Sequence, residues 1–258
     1  MVQADSLKKI VIVCGPTGSG KSALAVDIAK KFNGEVVSAD SVAIYKGLDI
    51  GSAKPTAEET CGIKHHLIDI VEPTEEFSVS DYEKLALLAI EDILSRGKLP
   101  IICGGTGFYI NSIIYKLSYG NSAADQNIRK KYEDIAAEKG ADYLFEILKK
   151  KDEETAKKLH PNDIKRVIRA LEIFDSSGVK KSDINDEKTP RYDYVALTID
   201  FDREELYSRI NSRVDKMIES GLEEEVKGLL SKGIKLSDQC MQGIGYKETA
   251  EAILKGEE

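Results

Sequence analysis

Residues 15–22 read Gly15-Pro16-Thr17-Gly18-Ser19-Gly20-Lys21-Ser22, directly after the apolar run Ile10-Val11-Ile12-Val13-Cys14. Every fixed position of the phosphate-loop pattern G-x-x-x-x-G-K-[ST] is present, in the strand–loop–helix context that the pattern needs. The glycines let backbone amides turn toward a polyphosphate. Lys21 adds a point charge, and the Ser22 hydroxyl can hold Mg²⁺. The pattern specifies a phosphate and leaves its fate open.

Other residues of chemical interest fall where strands end. Ser38-Ala39-Asp40-Ser41 closes a second apolar run, so Asp40 reaches the same crevice. A carboxylate there can take a proton from a nucleophile, and it can equally cap the segment that follows. Gly104-Gly105-Thr106-Gly107 forms another glycine-rich turn into a helix, with three glycines and a hydroxyl that favour close approach to a ligand. Arg209 and Arg213 are one helical turn apart and share a face; surface pairing with Glu205 or Asp215 is the plainer use of both. Lys165, Arg166 and Arg169 form a basic cluster suited to solvent or to a phosphate backbone. His65-His66 lack a third ligand at metal spacing. A phosphate-loop hydrolase needs a strand-end acid for Mg²⁺ and a second acid for water. Asp200 and Asp69 offer the first and nothing offers the second, which favours group transfer over hydrolysis.

The elements that must position these groups are legible as alternation. Ile10–Cys14, Glu35–Ser38, His66–Val71, Pro100–Cys103 and Tyr194–Ile199 suit buried parallel strands. Helical patterns Ser22–Lys31, Ser80–Arg96 and Phe108–Lys116 lie between them, with Leu85, Leu88, Ala89 and Ile93 on one face of the second and Gly97 as its stop. This predicts an α/β fold with a phosphate-loop type of parallel sheet and right-handed crossovers. Residues 121–191 differ. They show no strand pattern, only charged helices over Gln126–Lys139, Tyr143–Lys150, Asp152–Leu159 and Asn162–Ser176, then a polar loop Gly178–Arg191. This segment carries 16 Lys/Arg against 15 Asp/Glu, and the rest of the chain 21 against 30. The reading is an all-helical insertion, 121–191, in an α/β core of residues 1–120 and 192–258. A long helix pattern, Glu204–Lys232, breaks near Gly221.

The 258 residues suffice for one large domain plus an insertion. No apolar stretch is long enough to span a membrane, and Met1–Lys9 lacks the form of a secretory signal. The four cysteines are widely spaced without a C-x-x-C pair, which fits reduced thiols, no zinc and a cytoplasmic location. A net charge of −8 argues against general coating of nucleic acid and allows a local basic face.

Taken in order, the motifs resemble one family. Gly15–Ser22, Ser38–Ser41, Tyr45–Gly51, Lys54-Pro55-Thr56, His65–Asp69, Gly104–Tyr109, Arg166–Glu172 and Gly243–Glu248 look like the bacterial tRNA dimethylallyltransferases, from about Lys9 to Glu248. The resemblance implies transfer of a dimethylallyl group from dimethylallyl diphosphate to N6 of the adenosine 3′ of the anticodon. It implies that Gly15, Pro16, Thr17, Gly18, Ser19, Gly20, Lys21 and Ser22 bind the diphosphate, with Ser22 serving Mg²⁺. Thr17 would meet the bridging oxygen. Arg213, with Arg209, would neutralise the leaving group, and Asp40 would accept a hydrogen bond from the adenine amine. The base would have to leave its stack. Implied tRNA contacts fall on Asp40, Ser41, Val42, Ala43, Thr106, Asp125, Arg129, Lys165, Arg166, Val167, Ile168 and Arg169, with the insertion gripping the anticodon stem-loop.

The sequence departs from the family at Ala43 and Lys165, where glutamine is usual, and stops at Gly256-Glu257-Glu258, where relatives continue with a basic, aromatic segment. The expectation is a truncated chain or one of reduced tRNA affinity, acting as a monomer. Three rival readings remain. They are an adenylate dimethylallyltransferase, for which a long insertion has no use, a phosphate-loop small-molecule kinase, and a non-catalytic RNA-binding relic.

Overall fold

The computed structural model describes residues 7–118, 125–184 and 187–256. The expected boundary at Asn121 lies outside them. The chain forms two compact units, one of residues 1–114 and 190–258 and one of residues 115–189.

The first unit is built on a parallel sheet. Its strands are β1 (Lys9–Cys14), β2 (Gly34–Ser38), β3 (His65–His66), β4 (Leu99–Gly104) and β7 (Asp193–Thr198), in the order β3-β2-β4-β1-β7. Helix α1 (Lys21–Phe32) crosses from β1 to β2, and the short α2 (Ala57–Thr60) precedes β3. Helix α3 (Val79–Ser95) leads from β3 to β4, and α4 (Gly107–Ile114) leaves β4. The β1-to-β2 and β3-to-β4 connections run in opposite directions across the sheet, so right-handed crossovers place α1 and α3 on opposite faces. Under α1, Val13, Ala25, Ala29, Val36, Ile101 and Cys103 pack as one cluster. After β7 come α9 (Arg203–Glu219), α10 (Leu222–Ser231) and α11 (Tyr246–Lys255). Gly221 separates α9 from α10 at φ 96°, a left-handed backbone that ends one helix and starts the next.

Three expectations need correction here. The β3 segment pairs over two residues only, because the chain turns through left-handed Leu67 and Asp69. Only a bridge from Val71 to Tyr45 follows. Strand β7 is not buried. It lies at the sheet edge beside β1, and Val195 is 58% exposed. The inward stripe of α3 is Tyr82, Ala86, Ile90 and Ile93, while Leu88 is 68% exposed. The tyrosine anchors this stripe, since its hydroxyl donates to the Ser38 carbonyl at 2.9 Å.

The second unit is helical: α5 (Gln126–Lys139), α6 (Ala141–Lys151), α7 (Glu153–Ala156) and α8 (Ile164–Ser177). Tyr132, Leu144, Leu148, Val167 and Leu171 form its core. It is not free of strands, as β5 (Tyr115–Lys116) and β6 (Glu187–Pro190) make a two-stranded ladder. Just beyond it, the Arg191 amide donates to the Ile114 carbonyl at 2.8 Å.

Candidate active site

The strand ends of β1, β2 and β4 open into a cavity of ≈ 710 Å³ in the first unit. Gly15, Pro16, Thr17, Lys21 and Ser22 line one part of it, Asp40–Ala43 and Thr106 another, and Arg213 a third. Residues expected to act together from strand-end position are therefore brought together.

The phosphate loop keeps its shape through Gly18 and Gly20, at φ 80° and 78°, where a side chain would be strained. A Cβ on Gly18 would also stand 3.4 Å from Ile210. Helix α1 begins without a side-chain cap and without an acid in its first turn, so its amides and dipole favour an anion. The Lys21 ammonium donates to the Pro16 carbonyl at 3.2 Å. Burial lowers its pKa, Asp40 opposes the shift and Arg213 adds to it. Burial also lowers the pKa of Arg213, against the opposing charges of Asp40 and Glu59. Arg213 Nε and Ser19 Oγ are buried with no hydrogen-bond partner among the described residues. An anion bound here would satisfy the Arg213 Nε that the described residues leave without a partner.

Asp40 takes the capping use. One oxygen, Oδ1, accepts the amides of Val42 and Ala43 at 2.9 and 3.1 Å and so shapes the turn. The capping bonds engage a single oxygen of the carboxylate, which leaves acceptor capacity on the residue at the cavity. Thr106 ties the neighbouring turn to this one. Its Oγ1 accepts the Ser41 amide at 3.1 Å, and its own amide donates to the Ala39 carbonyl at 3.1 Å. Gly104 is a glycine for a packing reason, since a Cβ there would lie 2.1 Å from the Ala39 carbonyl oxygen. Around Gly107 the space is open.

Arg209 takes its plainer use. It bonds Glu205 at 2.9 and 3.0 Å, and its guanidinium stacks 4.2 Å from the Phe201 ring centroid. It is absent from the cavity wall, whereas Arg213 is on it. The wall also includes residues not expected from the sequence. Ile210, Val214 and Met217 give α9 an apolar stripe beside Arg213, and Leu222 and Gln242–Gly245 close the cavity. The i, i+4, i+7 spacing of that stripe is readable in the sequence as a helix face.

The remaining candidate tRNA residues lie in the second unit, most in structural roles. Asp125 caps α5 through the amides of Asn127 and Ile128. Arg129 and Arg169 both bind the fully buried Glu172 carboxylate, at 3.0 and 2.8 Å. Val167 and Ile168 are 0% and 6% exposed, so their side chains belong to the core of the helical unit. Lys165 is exposed, and so is Arg166, which pairs with Asp163 at 2.9 Å.

Residues 43–258 match the family model described as IPP transferase. The chain belongs to this family. A tRNA dimethylallyltransferase of Thermoanaerobacter sp. (strain X514) is 52% identical over 254 residues, 96% of this chain and 80% of that one. Its counterpart in Acetivibrio thermocellus is 49% identical, over 97% and 81% of the two chains. Among solved structures, the full-length tRNA isopentenylpyrophosphate transferase of Bacillus halodurans matches with a TM-score of 0.67 and 44% identity, over 96% of this chain and 78% of that one. A eukaryotic dimethylallyltransferase acting on tRNA gives a TM-score of 0.80 at 34% identity, over 96% and 64%. As an IPP transferase the chain is a tRNA-modifying prenyltransferase. Its α/β core of parallel strands is that of its structural neighbours. No helix of the described residues is long and apolar enough to cross a membrane.

Proposed function

We propose that the chain transfers a dimethylallyl group from dimethylallyl diphosphate to N6 of the adenosine 3′ of the anticodon in tRNA, releasing diphosphate. One observation carries this reading: Asp40, Lys21 and Arg213 line one cavity, which puts a carboxylate opposite an anion cradle. The reaction needs charge stabilisation on the leaving diphosphate and orientation of a weak amine nucleophile. The amides of Gly18–Ser22, Lys21 and the unpaired Nε of Arg213 supply the first. Asp40 supplies the second, accepting from the amine while Oδ1 stays on the Val42 and Ala43 amides. Thr17, at the cavity wall, would donate to the bridging oxygen.

The site suits a cation held mainly by its substrate. Among the described residues no group of three or more His, Cys, Asp or Glu could hold a metal. Ser22 is the side-chain oxygen that the first turn of α1 offers at the cavity. That donor set fits Mg²⁺, which keeps several waters and binds through phosphates, and which would neutralise diphosphate charge when bound. Arg166 and Lys165 of the second unit would contact the phosphate backbone of the anticodon stem-loop, in a cytoplasmic, monomeric enzyme.

The reading is tested with labelled dimethylallyl diphosphate and three acceptor conditions: unmodified tRNA, AMP, or none. Label in tRNA is the expected outcome. Label confined to AMP would replace the reading with an adenylate dimethylallyltransferase. ATP consumption with an unlabelled acceptor would replace it with a kinase, and tRNA binding without transfer with a relic.

A further inference from the structure

Glu225 on α10 lies outside every motif tied to phosphate or acceptor chemistry, yet its carboxylate accepts four hydrogen bonds. Oε2 takes the amides of Asp49 and Ile50 at 3.0 and 2.8 Å. Oε1 takes the amide of Gly51 at 3.3 Å and the hydroxyl of Tyr246 at 2.5 Å. Four donors fill the acceptor capacity of an ionised carboxylate. Three come from one backbone stretch and the fourth from α11. Burial and the Glu225 carboxylate, in that order, push the Tyr246 hydroxyl well above its ordinary pKa, so it stays a donor.

Both clamped stretches are cavity wall. Gly51 lines the cavity, and so do Gly243–Gly245, which lead directly into Tyr246. They pack without slack. A Cβ on Gly51 would stand 2.6 Å from the Tyr246 ring, and one on Gly243 would stand 2.9 Å from Val42 Cγ2. The amide of Val42 is in turn bonded to Asp40. A continuous series of contacts therefore runs from Glu225 through Tyr246 and Gly243 to the turn that shapes Asp40. Helix α10 does not need this residue as a cap, since Glu225 lies inside it.

We propose that Glu225 is a positioning residue that fixes the acceptor side of the cavity. It holds the Gly51 and Gly243–Gly245 walls at a set separation from Asp40, where the adenine must lie. The inference rests on the transferase reading above. It gives a role to the Tyr45–Gly51 and Gly243–Glu248 motifs, which the chemistry of the diphosphate leaves unused.

The test is steady-state transfer by Glu225→Gln with each substrate varied in turn. Glutamine offers one acceptor oxygen and an NH₂ group, so one side of the clamp meets donor against donor. The KM for tRNA should rise about fivefold or more, with the KM for dimethylallyl diphosphate within about twofold and kcat within about threefold. Tyr246→Phe removes a single donor and keeps the ring, so its shift should run the same way and be smaller, about twofold. An unmoved KM for tRNA in both variants overturns the proposal. So does an equal rise for both substrates, or a fall in kcat alone. The unsubstituted protein in the same assay keeps the two ideas apart. If it fails to label tRNA, the transferase reading falls. If it labels tRNA normally and the variants match it, only the role of Glu225 falls.

Discussion

Gly104 and Ala39 approach so closely that a Cβ on the glycine would lie 2.1 Å from the alanine carbonyl oxygen. This contact joins the ends of β2 and β4, which carry Asp40 and Thr106. Gly104→Ala must push the two strand ends apart. It should cost about 1–3 kcal/mol in urea unfolding, with turnover falling as well. Gly107→Ala, in open space at the start of α4, is the control. It should leave stability unchanged or raise it by up to about 1 kcal/mol. Equal behaviour of the two variants would remove the strand-end contact as the reason for Gly104.

Asp40 combines a cap with a proposed base, and the two separate by substitution. Asparagine keeps an oxygen for the Val42 and Ala43 amides and loses the charge. Asp40→Asn should therefore match the parent in stability to within about 0.5 kcal/mol, while turnover drops about 100-fold or more. Asp40→Ala should lose the same activity and a further ~1 kcal/mol of stability. Turnover of the asparagine variant within about tenfold, ~1.4 kcal/mol of barrier, would rule out the base.

Lys21 is held at a cost to the empty protein. Burial sets its native pKa below the ordinary lysine value of 10.5. A base with a lowered native pKa is more protonated when unfolded, so between the two values unfolding takes up a proton. Stability of the ligand-free protein should therefore climb as pH rises through that window toward 10.5, with the full penalty present below it. Lys21→Met should raise stability near neutral pH and flatten the climb, while dimethylallyl diphosphate no longer protects against unfolding. Urea titrations across pH, with and without the diphosphate, measure both. A variant less stable than its parent at neutral pH would contradict the burial penalty.

In the second unit, exposed and buried charges should behave differently. Arg166→Ala should leave stability within about 0.5 kcal/mol and reduce the slope of log K against log salt for tRNA binding by about one. Glu172→Ala removes a buried carboxylate that both Arg129 and Arg169 bind and should cost about 3 kcal/mol or more. An unchanged salt slope would remove Arg166 from the phosphate contacts.

What could be read from the sequence followed the range of the forces involved. The loop from Gly15 to Ser22 was legible because its glycines answer to local backbone geometry. Helix α5 was legible to its bounds, Gln126–Lys139, because its cap and stop are adjacent in sequence. The face of α3 was misread, since the hydroxyl of Tyr82 makes a polar residue into a core anchor and leaves Leu88 outside. Strand β6 was missed because Glu187-Lys188-Thr189-Pro190 has no apolar alternation and finds its partner, Tyr115–Lys116, far away in the chain. The exposure of β7 follows from its place in the sheet order. Gly104 was attributed to a ligand when the neighbouring backbone explains it. The four bonds of Glu225 join three distant segments, which no local pattern encodes.

The ladder of β5 and β6 also bears on how such a chain can change. The bond from the Arg191 amide to the Ile114 carbonyl closes the first unit on itself across the intervening residues. The entropy of closing that excursion grows only with the logarithm of its length. Helices can be lengthened, exchanged or recharged beyond the ladder with little effect on the folding of the sheet. A lineage could thus rework the surface of this unit while inheriting the strand-end cavity intact.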